Sequence, residues 1–320
     1  MNRKKIYVAL SQFCQNDVRP LNVLEEAGFD VLRNTAGRRI ERGEMIGALR
    51  GVDAVLAAVE PYDADLLAAL PRLRCISRCG VGTDAIDLEA ARSLKIAVLT
   101  TNDEVVEPVA QMTVAMILAL ARNIPAHIAD FRSGVWRKHT GYLLSEWTIG
   151  LVGFGRIGGA VERCLRPFGP RVIVSDPHVG SDRIPDHVEK VDLPALLARA
   201  DLVSLHASRL PGEGVLIGRD EIATMKRGSR LVNTTRGGLV DEKSLLDALL
   251  SGHIAGAALD VFENEPYAGP LAGLPQVLCT PHVSSLTRAS RVGMELRCAM
   301  NVVEFFRTAS SISTIGEKVS

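Results

Sequence analysis

At 320 residues the chain is long for a single domain, and its 47% apolar and 23% charged residues are the composition of a folded globular protein. Lys plus Arg balances Asp plus Glu at 37 each, so no overall field favours nucleic acid or an acidic membrane, and neither is expected as a partner. The six cysteines are scattered with no C-x-x-C pair, which reads as reduced thiols rather than a disulfide frame or a zinc site, and no metal is expected.

The basic start, Arg3-Lys4-Lys5, precedes an apolar run too short for a signal peptide, and a first strand at Ile6–Leu10 explains it better. Ala54–Ala58, Cys75–Ser77 and Ala97–Leu99 read as further strands, with helical spacing over Pro20–Ala27 and Ala64–Leu70 between them. This alternation predicts parallel sheets covered by helices on both faces. Glu107–Arg122 is a long apolar helix, expected either to connect two domains or to form part of a dimer contact. The longest apolar stretch, Met112–Ala121, falls short of the roughly 18 residues of a membrane span, so a cytoplasmic protein is expected.

A second strand–helix series begins near Thr148. Six strands are predicted: Thr148–Val152, Val172–Ser175, Leu202–Leu205, Arg230–Asn233, Ala257–Asp260 and Val277–Thr280. Six suit a complete doubly wound dinucleotide domain, whose ligand binds beyond the carboxyl ends of the strands. The expected organisation is α/β with two doubly wound parallel-sheet domains and a cleft between them. Residues 1–100 and 286–320 form a flavodoxin-like substrate domain, and 101–285 form a Rossmann nucleotide domain. The Ser- and Thr-rich final dozen residues read as a loose tail.

Gly153-Phe154-Gly155-Arg156-Ile157-Gly158 follows a strand and opens a helix, as a dinucleotide fingerprint must. Gly153 serves the turn, Gly155 lets a pyrophosphate approach the backbone, and Gly158 brings helix close to strand. Arg156 and Ile157 start the helix whose free N–H groups face the phosphates. The next strand ends in Asp176, placed to bind the ribose hydroxyls. An acid there repels a 2′-phosphate, so NAD is preferred over NADP. Asp260 closes the fifth strand and is expected to face the nicotinamide end.

Reduction of an oxo acid needs a cation for the carboxylate, a proton donor for the forming alkoxide, and an acid to tune that donor. Arg236, in Asn233-Thr234-Thr235-Arg236-Gly237-Gly238, offers a planar fork for bidentate carboxylate binding. Glu265, in Asp260-Val261-Phe262-Glu263-Asn264-Glu265-Pro266, and His282, after Thr280-Pro281, follow the next two strands. Each alone reads as a loop charge or a structural histidine. Their recurrence at successive strand ends beside a dinucleotide motif points to catalysis.

From about residue 50 to 300 the chain resembles the D-isomer-specific 2-hydroxyacid dehydrogenases, especially the phosphoglycerate dehydrogenase branch. The resemblance is carried by Ser77–Asp84, the Gly153–Gly158 fingerprint, Asp201–His206, Asn233–Asp241, Ala258–Pro266 and Thr280–Ser284. It implies NAD as cofactor and Arg236, Glu265 and His282 as the catalytic set. Asp260 then matches an acid contacting the nicotinamide amide. His206 and Thr235 are expected beside the cofactor.

The resemblance further implies that backbone N–H groups of Val81 and Gly82 bind the substrate carboxylate, a physically sound anion nest. Arg78 either adds charge for a second anionic group or pairs with Asp84 or Glu107. A tight glycine turn is the plainer alternative for the Val81–Gly82 loop. Ala85 and Gln111 depart from the family's usual Asn and Glu.

The implied reaction is hydride transfer between NAD(H) and C2 of a small 2-hydroxy/2-oxo acid, with an acid bearing phosphate or phosphonate as the first candidate. Alternatives are a glyoxylate or hydroxypyruvate reductase, a phosphite- or formate-type dehydrogenase, and an NADH-binding corepressor-like protein. No C-terminal regulatory domain is expected, and a homodimer is. Glu60-Pro61-Tyr62 is a candidate pocket lining, and Trp136 and Trp147 read as core or interface residues.

Overall fold

The computed structural model describes residues 3–207 and 214–316, with side chains through 308. The chain divides into two compact units, residues 1–105 with 286–320, and residues 106–285.

The first unit opens with β1 (Lys5–Val8), α1 (Arg19–Glu26), β2 (Asp30–Arg33), α2 (Arg42–Leu49) and β3 (Ala54–Ala57). α3 (Ala64–Ala68), β4 (Cys75–Arg78), α4 (Leu88–Ser93) and β5 (Ala97–Thr100) follow. Its five strands are all parallel in the order β2-β1-β3-β4-β5, the flavodoxin-like order. β3 is buried at every position because helices cover both faces. β2, Asp30-Val31-Leu32-Arg33, was not foreseen: as an edge strand with no buried residue it lacks the apolar run that marks its neighbours. Side-chain oxygens of Asp63 and Asp87 cap α3 and α4 by accepting from Leu66 and Ala90 N–H.

The second unit contains α5 (Val106–Ala121), α6 (Ile124–Arg132), β6 (Thr148–Val152), α7 (Arg156–Leu165), β7 (Arg171–Ser175) and β8 (Glu189–Lys190). α8 (Leu193–Arg199), β9 (Leu202–Leu205), α9 (Arg219–Thr224), β10 (Ser229–Asn233), α10 (Glu242–Leu250), β11 (Ile254–Leu259) and β12 (Val277–Cys279) complete it. The order is β12-β11-β10-β9-β6-β7-β8, so the direction of winding reverses between β6 and β9. That reversal is the topological switch point where doubly wound sheets bind ligands. Two-residue β8 is the seventh strand, beyond the six expected, and it too is exposed and charged.

β6 is buried from Ile149 to Val152 between two core clusters. Each fully buried aliphatic chain there contributes about 1.5–3 kcal/mol relative to exposure. α5 buries Val109, Ala110, Thr113, Val114, Met116, Ile117, Leu120 and Ala121, and so is a core helix of this unit. Among the described residues no single helix is long and apolar enough to cross a membrane.

The last helix, α11 (Arg288–Gly316), returns to the first unit, where Ser77 Oγ donates to Cys298 O at 2.9 Å. Most of the segment read as a loose tail belongs to this helix, and residues 317–320 lie outside the described ones. Glu60 and Tyr62 are each only 1% exposed, so they are core residues of the first unit rather than pocket lining.

Candidate active site

The carboxyl ends of β6 and β9 frame the glycine loop. Gly153 has φ +93°, and a Cβ there would lie 2.6 Å from the backbone of His206 and Ala207, so only glycine fits. A Cβ at Gly158 would lie 2.4 Å from Gly153 O, which keeps α7 tight against the turn. A Cβ at Gly155 would meet nothing within 4 Å, and the open space in front of it is what a pyrophosphate requires. The N–H groups of Gly155, Ile157 and Gly158 take no acceptor within the described residues. Together with the amino end of α7, whose first turn holds Arg156 and Ile157, they fit a dinucleotide's phosphates.

Asp176 lies at the end of β7. Its Oδ2 accepts from Phe154 N at 2.8 Å, and its Oδ1 accepts from His178 N at 2.8 Å and Val179 N at 3.1 Å. Burial works against the charge, yet these three donors hold the carboxyl below its ordinary pKa. The carboxylate stays ionised and partly exposed, with lone pairs left for a ribose.

His206 ends β9 behind the glycine loop. Its Nε2 lies 2.9 Å from Ser204 Oγ, its Nδ1 is buried without a partner, and burial pushes its pKa down to about 3. It is a neutral wedge under the turn, with one ring nitrogen still able to meet a ligand atom.

The three residues expected to be catalytic all belong to the second unit. His282 Nδ1 lies 2.9 Å from Glu265 Oε2, while Glu265 Oε1 accepts from Phe262 N at 3.1 Å. The pair is partly open to solvent, at 49% and 38% side-chain exposure, as a proton donor that meets an incoming molecule must be. His282 itself has φ +54°, a left-handed conformation that costs a non-glycine residue on the order of 1 kcal/mol. Its N–H donates to Asp260 O at 2.8 Å, which holds that conformation.

Arg236 lies on the neighbouring loop. Asn233, 1% exposed at the end of β10, donates from Nδ2 to Arg236 O at 2.8 Å. Asn233 Oδ1 accepts from both the N–H and the Oγ1 of Thr235, at 3.0 and 2.8 Å. A Cβ at Gly237 would fall 1.8 Å from the Phe262 carbonyl carbon, so the Arg236 loop packs directly on the segment leading to Glu265. Arg236 Nη1 donates to Thr235 O at 2.8 Å. Asn233 was not singled out from sequence; its signal is a buried carboxamide ending a strand one turn before the loop it shapes.

Asp260, expected at the nicotinamide, has a fully buried carboxylate that accepts four hydrogen bonds from its own chain. Oδ1 accepts from Thr280 Oγ1 at 2.5 Å and Val283 N at 2.9 Å, and Oδ2 accepts from Ser284 N at 2.8 Å and Ser284 Oγ at 2.6 Å. Such an acid clamps residues 280–284, and with them His282.

Arg78, Val81 and Gly82 lie in the first unit. Gly80 has φ +140°, and its N–H donates to Thr101 Oγ1 at 2.7 Å. The N–H groups of Val81 and Gly82 donate no hydrogen bond among the described residues, which leaves them available to an anion. Arg78 Nη1 donates to Cys79 O within the same turn. Gln111 Nε2 donates to Glu107 Oε1 at 3.1 Å on the first turns of α5.

Comparison with known proteins gives this geometry a family. Residues 114–284 match the D-isomer specific 2-hydroxyacid dehydrogenase, NAD binding domain. A D-3-phosphoglycerate dehydrogenase of Mycobacterium tuberculosis is 37% identical over 274 residues, covering 84% of this chain and 51% of that protein. The chain thus spans about half the length of several phosphoglycerate dehydrogenases it matches. A glyoxylate reductase of Thermococcus litoralis is 37% identical over 280 residues, covering 82% of this chain and 83% of that one. A D-lactate dehydrogenase structure from Aquifex aeolicus, complexed with NAD and lactic acid, superimposes with a TM-score of 0.82 at 25% identity, over 95% of this chain and 96% of that one. With residues 114–284 as its NAD-binding domain, this chain belongs to the D-isomer specific 2-hydroxyacid dehydrogenase family.

Proposed function

We propose that the chain is an NAD-dependent dehydrogenase that interconverts a small 2-hydroxy acid and its 2-oxo acid. The observation that carries this reading is the His282–Glu265 pair at 2.9 Å, held on the same sheet end as the glycine loop. Bound NAD(H) supplies or accepts the hydride at C2. In reduction, His282 gives the proton on Nε2 to the carbonyl oxygen, while Glu265 fixes the ring through Nδ1 and balances its positive charge. Arg236 binds the substrate carboxylate and steadies the oxygen as it gains negative charge. In oxidation the neutral ring of His282 takes the hydroxyl proton back. Within the first unit, the Val81 and Gly82 N–H groups offer an anion nest of their own.

A phosphorylated or phosphonate-bearing 2-oxo acid is the preferred substrate. It agrees with the names of the phosphoglycerate dehydrogenase relatives. Glyoxylate or hydroxypyruvate is the second choice, in agreement with the glyoxylate and hydroxypyruvate reductases among the relatives. The protein is further proposed to work in the cytoplasm as a homodimer. The surface that supports a dimer includes the flank of α5, α6 and the segment after it, where Phe131 is 70% and Trp136 83% exposed.

His282→Ala tests the chemistry. Turnover is expected to fall by about a hundredfold or more, the usual worth of a positioned proton donor, with NADH affinity nearly unchanged. Loss of NADH binding together with turnover would show that His282 only holds the fold.

A further inference from the structure

The first unit carries a cavity of about 220 Å³, lined by Gln12, Gln15, Asn16, Thr287, Arg288 and Arg291, with Leu286 at one edge. Its walls come from the loop after β1 and from the start of α11. Three carboxamides, a hydroxyl and two guanidinium groups therefore converge, and no carboxylate is among the lining residues. Most of this hydrogen-bonding capacity is uncommitted. The side chains of Gln12, Gln15 and Asn16 form no hydrogen bond among the described residues, and Arg288 forms no ion pair there. Thr287 Oγ1 accepts from Ser290 N at 3.1 Å, leaving its O–H to donate.

Arg291 is fixed differently. Its Nε donates to Glu295 Oε1 at 2.6 Å, and Glu295, 2% exposed, also accepts Cys14 N through Oε2 at 2.9 Å. This buried acid ties both walls together and leaves the two terminal Nη groups of Arg291 without a hydrogen bond among the described residues. Asp17, whose charge Arg288 also feels, is already held by Arg19 at 2.6–2.8 Å. A fixed fork, an exposed second guanidinium and several neutral donors around a space this size match a group with three acceptor oxygens carrying two charges. A lone carboxylate has two.

We propose that this cavity binds a phosphoryl or phosphonyl dianion. The identity of the molecule carrying that group rests on the reading under Proposed function; the anion site itself does not. Two sources share the chemistry: the distal acid of a bifunctional substrate, and a separate phosphorylated effector.

The test is titration calorimetry of the full chain with inorganic phosphate, which reads binding without turnover. Saturable binding to the native chain is expected, weakened about tenfold or more in Arg288→Gln, the loss of one charge-assisted hydrogen bond. Arg288 is exposed and unpaired, so this variant keeps the fold; Gln12→Ala is a second probe on the opposite wall, with a smaller loss expected. No binding to the native chain, or equal binding in both variants, overturns the proposal. With binding established, the inhibition pattern of phosphate against a phosphorylated 2-oxo acid separates the sources. Competitive inhibition assigns the site to the substrate's own second acid, and non-competitive inhibition assigns it to an effector.

Discussion

Asp260 holds the position of His282, the proposed proton donor. The imidazole is held in a left-handed backbone conformation by the Asp260 carbonyl, while the Asp260 carboxylate gathers four donors from Thr280, Val283 and Ser284. Asp260→Asn replaces one acceptor oxygen by a donor that faces two donors. It is expected to cost about 2–3 kcal/mol of stability, seen as a lower denaturation midpoint. Turnover should fall further than that loss explains, because His282 is released from its position. Added phosphate or salt should not restore it. Retention of full turnover at native stability would show that the loop needs no such clamp.

At the scale of elements, the seam between β6, β9 and α7 decides where a dinucleotide can lie. His206 fills it as a neutral ring, with a folded-state pKa of about 3 against 6.5 when solvated. Between those values the unfolded chain binds a proton that the folded chain refuses, so acidification favours unfolding. The contribution is fully present above pH 6.5 and is lost at about 1.4 kcal/mol per pH unit as pH falls toward 3. The difference in denaturation midpoint between the native chain and His206→Asn should therefore change with pH only below about 6.5. A pH-independent difference would contradict the buried neutral ring.

Much of this seam was legible in the sequence. The glycine spacing, the apolar strands and Asp176 all follow from local pattern, and the catalytic set stood at successive strand ends. β2 and β8 were not legible, because edge strands with exposed, charged residues carry no apolar signal. The four donors that Asp260 gathers were not legible. An acid ending a strand looks alike in one dimension whether it faces a ligand or a loop, and its neighbours Thr280 and Ser284 reach it only through the fold.

At the scale of the whole molecule, α5 spends eight of its sixteen positions on the core of its own unit. The exposed aromatic surface lies on its flank, at α6 and just after it, where the rings of Phe131 and Trp136 lie 6.3 Å apart. Trp147, by contrast, is 5% exposed, with the Arg230 guanidinium 4.8 Å from its ring. If a second copy covers Phe131 and Trp136, the paired change Phe131→Ser and Trp136→Ser should shift the native mass in solution from dimer to monomer without unfolding either unit. A native chain that sedimented as a monomer at working concentrations would refute the proposed contact.

The central claim is that this chain transfers hydride between NAD(H) and an oxo acid. The most direct test is the loss of NADH absorbance on adding glyoxylate, hydroxypyruvate, phosphohydroxypyruvate or a phosphonate analogue, with NADPH in parallel. Rapid, stoichiometric NADH oxidation with at least one of these acids is predicted, strongest with the phosphorylated one and slow with NADPH. Tight NADH binding with no oxidation by any of them would contradict the account and leave a protein that binds the dinucleotide without using it.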